Sequence, residues 1–308
     1  MDVIGIGEVC IDWTAKVKRL PEPDEKIFAE DYQLFVGGVT ANFLTALSKL
    51  GGNVGFIGGV GKDQYGDMII DALTRQGIDL SNLIRYEENR TAVNFVIVDE
   101  KGEKAIIQDK YLMENVPPPE FIDEKYIVSA KAIHTTAIKV SSALKGFEIA
   151  KKYDLTTSFD LEKHVAEYGL DSLKPILKLT DILMPNKLGI RSLTGEEDLV
   201  KAARKMLKLG PQIVVITLGS RGSMVVLKDD VIKVPAFKVN VVDTTGAGDE
   251  FNAAFIYGLV IRGWDYYKSS LFANAAAAIK CTKLGAQTGQ PKYDEVIEFL
   301  RGRGFNYG

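Results

Sequence analysis

Residues 243–260 read DTTGAGDEFNAAFIYGLV. Phe251, Phe255 and Leu259 recur at i, i+4 and i+8, so the spacing predicts a helix that begins at about Asp249. A glycine-rich loop runs into that helix. The first turn of a helix leaves backbone N–H groups without intrahelical acceptors and carries the positive end of the dipole. Together these make an anion site suited to phosphate. Glycines at 246 and 248 let the backbone approach a ligand with no Cβ in the way. A carboxylate at the start of the helix, Asp249, then stands where it can take a proton from an attacking alcohol. A plainer reading of the same residues is a helix N-cap after a flexible turn.

Two better-known phosphate signatures are excluded. A P-loop needs GxxxxGK[ST], but Gly61-Lys62 is followed by Asp63, and Phe56 holds the first glycine position. A dinucleotide fingerprint needs GxGxxG, but Gly5-x-Gly7 is followed by Cys10 at the third position.

Outward from this segment, short apolar runs alternate with amphipathic stretches. Residues 3–7, 54–58, 132–136, 156–160, 181–184 and 213–218 read as buried strands. Residues 40–50, 64–76, 141–152, 197–209 and 251–261 read as helices, with apolar residues at steps of three and four, as at Phe43, Ala46, Leu47 and Leu50. Apolar strands between helices imply an α/β protein with a mainly parallel sheet covered on both faces. Residues 9–36 and 90–108 break the rhythm. There Val93, Phe95 and Ile97 alternate along a strand, and 100–103 (EKGE) reads as a hairpin turn. These segments are expected to form a small β-sheet projecting from the core. Pro117-Pro118-Pro119 ends it.

The chain has 308 residues, 46% of them hydrophobic, and a formal net charge of −3. That is enough for one large domain with a sizeable core. No basic run interleaves with aromatics, so nucleic acid is not an expected partner. No apolar run reaches the roughly 18 residues of a membrane span, so no membrane association is expected. Two cysteines, Cys10 and Cys281, make no disulfide framework, and no leader-like segment opens the chain; a cytoplasmic setting is expected. His134 and His164, the only histidines, are not in metal-ligand spacing.

DTTGAGDEFNAA resembles the C-terminal signature of the ribokinase-type (PfkB) carbohydrate kinases, and GGVTANFLTALSKLGG at 37–52 resembles their N-terminal signature. GGVGKDQYG at 58–66, MPN at 184–186 and TLGSRG at 217–222 are similar to further family motifs, in family order across nearly the whole chain. The resemblance implies a single ribokinase-like domain over 1–308. It has a three-layer core, a mainly parallel sheet flanked by helices, and a β-sheet lid formed by about 9–36 and 90–112.

It further implies an ATP-dependent phosphotransferase acting on a primary hydroxyl of a small sugar or sugar derivative. In that reading Asp249 is the general base, and the amides of Gly246, Ala247 and Gly248 form the anion hole. Asn186, Thr217, Gly219, Ser220, Gly222 and Asn274 serve ATP. Asp12, Gly37, Gly38 and Asn42 bind the acceptor. Mg²⁺ accompanies ATP, and Asp243 and Thr245, with the turn at Gly285, resemble a loop that holds a monovalent cation such as K⁺. Read without the family, Thr217–Gly222 is equally a strand–turn–strand hairpin, Asn274 a buried amide bonded to backbone, and the 243–245 loop a turn satisfied by its own backbone.

The sequence also departs from the family. Many members carry Asn-x-x-Glu after the strand ending near residue 185; here Asn186 is followed three residues later by Gly189. No arginine-bearing lid pattern is present, and 160–163 (DLEK) lacks the usual Asn and Arg. The acceptor is therefore not named by subfamily. A nucleoside kinase is the alternative, with Trp13, Phe28 or Tyr111 stacking on a base. A catalytically silent nucleotide-binding regulator is a more remote one. A homodimer through the projecting sheets is expected, because alternating apolar strands leave one face of a small sheet half exposed.

Overall fold

The computed structural model describes residues 1–100 and 104–306. The expected hairpin turn at 100–103 falls largely outside the described residues. In chain order the first half consists of β1 (Val3–Ile6), β2 (Cys10–Lys16), β3 (Asp31–Gly37), α1 (Val39–Lys49), β4 (Val54–Gly61), α2 (Gln64–Arg75), β5 (Asp79–Tyr86), β6 (Val93–Val98), β7 (Lys104–Ile107), α3 (Tyr111–Glu114), α4 (Glu124–Ile127), β8 (Ala132–Thr135) and α5 (Val140–Lys152). There follow β9 (Thr156–Leu161), α6 (Lys163–Ala166), α7 (Leu170–Leu177), β10 (Ile182–Pro185), α8 (Lys187–Thr194), α9 (Leu199–Leu207), β11 (Ile213–Thr217), β12 (Ser223–Val226), β13 (Val231–Val234), α10 (Ala247–Ile256), α11 (Tyr266–Lys280) and α12 (Tyr293–Arg301).

Nine strands form one sheet in the order β13-β12-β11-β10-β9-β8-β1-β4-β5, parallel except for β12, which pairs antiparallel with both β11 and β13. The inner strands are buried on both faces and are mostly apolar, whereas the edge strand β5 (DLSNLIRY) is only half covered. Along β11, Ile213 and Val215 enter one core, with Phe43, Phe255 and Phe272, while Val214 and Ile216 enter the other, with Phe147, Ile176 and Met206. Side chains alternate across a strand, so one apolar run feeds two cores. This is the expected three-layer architecture.

A second sheet of four strands, ordered β3-β2-β6-β7, stands apart from the first. It uses the two segments that broke the alternation of strands and helices. Its alternation decides what faces the core. Asp12, Asn94 and Phe35 are register partners on one face, whereas Trp13, Leu34 and Phe95 are partners on the other.

Candidate active site

Gly246 lies in the left-handed region (φ 75°, ψ 5°) and caps α10, which starts at Ala247. The helix thus begins two residues before the predicted start, because Ala247 and Gly248 carry no periodic apolar signal. Asp249 therefore lies in the third position of the helix and is not its N-cap. A Cβ on Gly246 would sit 2.9 Å from the Ala286 carbonyl oxygen, so glycine serves both the backbone angle and the packing of two loops.

The Asp249 carboxylate points elsewhere than at its own backbone. Asn42, from α1, donates Nδ2–H to Asp249 Oδ2 at 2.8 Å. Asn42 is held in turn by Gln287, which donates to its Oδ1 (3.0 Å), and by Gln290, which donates to its backbone oxygen (2.9 Å). The amide orientation is thereby determined by its neighbours. Asp249 is 8% exposed. Burial, then the nearby Glu162 charge, pushes its pKa up to about 7, against the opposing bond from Asn42.

Two clefts meet at this helix start. One, of roughly 550 Å³, lies between the sheets and is lined by Asp12, Gly38, Asn42, Asn94, Glu162 and Asp249, among others. Its inner end is polar, and Val96, Val98 and Ile106 line its walls from the small sheet. Asp12 Oδ1 accepts from Asn94 Nδ2 (3.1 Å) and from the Cys10 thiol (3.3 Å). Gly37 does not line the cleft. A Cβ there would lie 2.2 Å from Asp12 Oδ2, so its part is to leave room for that carboxylate.

The second cleft, of roughly 520 Å³, is lined by Thr217, Gly219, Ser220, Gly222, Asn274, Ala247 and Gly248 with apolar Phe237, Val239 and Phe251. An apolar slot with a few polar groups suits a purine ring leading to phosphates. Val241 and Thr244 line both clefts. The hairpin reading of 217–222 also holds, since β11 and β12 pair antiparallel around it. Asn274 spends its Nδ2 on Ser223 Oγ and on the carbonyls of Val234 and Pro235, at 3.1 to 3.3 Å. It therefore shapes the wall of the slot. Ala247 N–H donates to the Thr244 carbonyl at 3.1 Å. Asn186 is not among the lining residues; its Oδ1 accepts from Gly189 N–H (2.7 Å) and caps α8.

The departure at Gly189 has a steric reason. A Cβ there would meet the Leu161 carbonyl oxygen at 2.3 Å, so α8 packs directly on the end of β9 and has no room for a glutamate. Carboxylates arrive instead from other elements. Glu162, just past β9, lines the acceptor-side cleft. Asp160 is buried, accepts from Asn252 Nδ2 at 2.9 Å, and is held well above the usual carboxylate range by burial, then by Glu162 and Asp249. Glu8, also buried, accepts from the hydroxyls of Thr40 and Thr136 at 3.1 and 2.7 Å. Oxygen donors of this kind suit Mg²⁺. Among the described residues no cluster of three or more metal-binding side chains is arranged to hold an ion by itself.

The loop around Asp243 is knit by its own groups. Asp243 Oδ1 accepts from Thr245 N–H and Oδ2 from Gly285 N–H, both at 2.8 Å. Lys280, the last residue of α11, donates to the Asp243 backbone oxygen at 2.9 Å.

Sequence reasoning missed Glu8, Asn94, Gln287 and Gln290. A signal existed for two of them: a carboxylate directly after a buried strand, and an amide inside the apolar run VNFVIV. The aromatics considered for base stacking do not line the acceptor-side cleft. Trp13 stacks on Tyr32 (centroids 5.6 Å apart) and donates to Tyr65, on the opposite face of the sheet. Phe28 is 96% exposed, and Tyr111 packs beneath Arg90 and Lys110. His134 is buried against Phe43 and kept neutral by burial, so it plays structure only.

Comparison with known proteins agrees with this geometry. A family model described as pfkB family carbohydrate kinase matches residues 2–293. An uncharacterized sugar kinase of Archaeoglobus fulgidus is 35% identical over 80% of this chain and 98% of its own. The Arabidopsis thaliana ribokinase complexed with ribose and ATP superimposes with a TM-score of 0.85 at 26% identity, over 97% of this chain and 98% of its own. A putative ribokinase II from E. coli in complex with ATP and Mg²⁺ gives 0.85 at 25% identity, over 98% and 99%. With a ribokinase-like sheet, two clefts joined at one helix start and a family match over nearly its whole length, this chain belongs to the pfkB family of carbohydrate kinases and is a phosphotransferase.

Proposed function

We propose that the chain transfers the γ-phosphoryl group of ATP to a primary hydroxyl of a small sugar or sugar derivative, with Asp249 as general base. The observation that carries this reading is the meeting of the two clefts at the start of α10. Asp249 lines one cleft, and Ala247 and Gly248 line the other. ATP in the apolar slot then directs its terminal phosphate at the helix start. The acceptor, held by Asp12 and Asn42, brings its hydroxyl to Asp249. Asp249 takes the hydroxyl proton as the oxygen attacks phosphorus. The amides of Gly246, Ala247 and Gly248 and the helix dipole meet the charge that builds on the equatorial oxygens. Mg²⁺, entering with the triphosphate, would neutralise phosphate charge, and Glu162, which lines the cleft, would help to hold it.

The acceptor cleft favours a polyhydroxylated ligand over a nucleoside. A carboxylate and two amides converge at its inner end, and each can pair with vicinal hydroxyls. A cytoplasmic setting is part of the proposal, in keeping with two free thiols. Among the described residues no helix is long and apolar enough to cross a membrane. The test is ADP release measured over pentoses, hexoses, sugar acids, polyols and nucleosides. Turnover with a sugar-like acceptor is expected. Turnover with nucleosides alone, or with none of these classes, would contradict it.

A further inference from the structure

The cation-loop reading predicts a dissociable ion between the 243–245 turn and the 285 turn. The groups there do not fit one. Asp243 has both carboxylate oxygens engaged by backbone amides, and Val242 and Asp243 donate their own N–H groups to the Cys281 carbonyl at 2.8 and 3.2 Å. The Asp243 backbone oxygen takes the Lys280 ammonium, which also lies 3.9 Å from Asp243 Oδ2. The Lys280 side chain is 0% exposed. It ends α11, a helix that also buries Leu271, Phe272 and a run of alanines.

A lysine buried without charge partners carries a large desolvation cost. Here a carbonyl, a carboxylate and the negative end of α11 all face it. Burial raises the Asp249 and Glu250 carboxyls and opposes the lowering at Asp243, and the Lys280 charge works against burial at all three. Asp243 lies three residues before the cap of α10, so whatever holds Asp243 positions the loop that leads into the anion hole.

We propose that the Lys280 ammonium is a built-in monovalent cation that positions the 243–246 loop, making turnover independent of K⁺. The proposal rests on the kinase reading above. Lys280 acts through the loop and touches neither substrate, so it is a positioning residue.

The experiment measures ATP affinity by calorimetry, and turnover by ADP release, in potassium and in tetramethylammonium chloride at one ionic strength of about 0.1 M. For the unmodified protein both quantities should agree between the two salts within about twofold, where a bound ion as strong as a charged hydrogen bond would give tenfold or more. Lys280→Ala leaves a cavity. It should lose about tenfold or more in kcat and in ATP affinity, and regain much of both with K⁺ or NH₄⁺. Lys280→Met fills the volume without the charge; it should lose as much and not be rescued. K⁺ stimulation of the unmodified protein by more than about fivefold, or a folded Lys280→Met with unchanged kcat and ATP affinity, would overturn the proposal, because either falls outside the range for a charged hydrogen bond. Should the variants not fold, the salt response of the unmodified protein decides alone. Should no acceptor be turned over, the comparison of ATP affinity in the two salts still tests this proposal, so failure of the kinase reading and failure of this one are separable.

Discussion

At the scale of single residues, Asn42 and Asp12 separate. Both line the acceptor cleft, but only Asn42 is bonded to the carboxylate of Asp249. Asp12→Ala should raise the acceptor KM by about tenfold or more with kcat little changed, the pattern of lost uniform binding. Asn42→Ala should lower kcat by a similar factor as well, because the base loses the bond that orients it and favours its charged form. Steady-state kinetics that give both variants the same KM-only defect would show that the Asn42–Asp249 bond does not matter to the reaction. The elevated Asp249 pKa has its own consequence. The deprotonated carboxylate is the active base, and its folded pKa of about 7 lies above the ordinary carboxylate value. Activity is then lost as pH falls through about 7, and kcat/KM for the acceptor should drop about tenfold per unit below pH 6. A profile flat to pH 5 would contradict the shift. For stability the sign is opposite. The folded state binds this proton more tightly than the unfolded chain, so the contribution of Asp249 to stability improves on acidification from pH 8 to 6.

At the scale of elements, α8 and the end of β9 make a contact that tolerates no side chain at Gly189. Replacing a helical glycine with alanine ordinarily gains up to about 1 kcal/mol, whereas overpacking costs about 1–3 kcal/mol. The obstacle at 2.3 Å is a backbone carbonyl, so the cost should dominate. Gly189→Ala should lower Tm by a few degrees in a thermal melt, given about 2–4 °C per kcal/mol for chains of 150–250 residues and somewhat less for a longer one. An unchanged or raised Tm would show that the strand end yields. The same contact explains why a glutamate motif read one-dimensionally points to a missing ligand. Sequence spacing cannot show that another element has taken its space. Elsewhere the elements were legible in proportion to their apolar signal. Strands β1, β8, β9, β10 and β11 and helices α1, α2 and α5 sit within a residue or two of their predicted bounds, because each buries a continuous or periodic apolar run, whereas β4 runs three residues past its predicted end. The edge strand β5, DLSNLIRY, was not legible, since it is only half covered and carries polar residues. The start of α10 was misplaced because a glycine-rich first turn has no periodicity.

At the scale of the whole molecule, the small sheet presents one face to the acceptor cleft and the other outward. Tyr32, Leu34, Phe95 and Ile107 lie on the outer face, exposed by 64, 37, 53 and 65%. Monomeric proteins seldom leave such contiguous apolar surface to water. A homodimer through these sheets remains the proposal. Light scattering at micromolar concentration should give twice the chain mass, and Phe95→Glu should halve it; a monomer for the unmodified protein would refute the pairing. The site residues that the sequence made legible were those in contiguous motifs. The residues that orient them, Gln287 and Gln290 on Asn42 and Lys280 on Asp243, come from segments more than thirty residues distant in sequence, so only the folded chain brings them together. The central claim, that Asp249 at the junction of the two clefts is the base for phosphoryl transfer, is tested most directly by kcat of Asp249→Asn beside its ATP affinity and Tm. Asparagine keeps the size and the approach of Asn42 but accepts no proton. General-base catalysis contributes on the order of 10²–10⁴ in rate, so kcat should fall at least about a hundredfold while ATP affinity and Tm stay near those of the unmodified protein. A folded Asp249→Asn protein that keeps more than about a tenth of the original kcat would contradict the account, since that loss lies below the range for general-base catalysis.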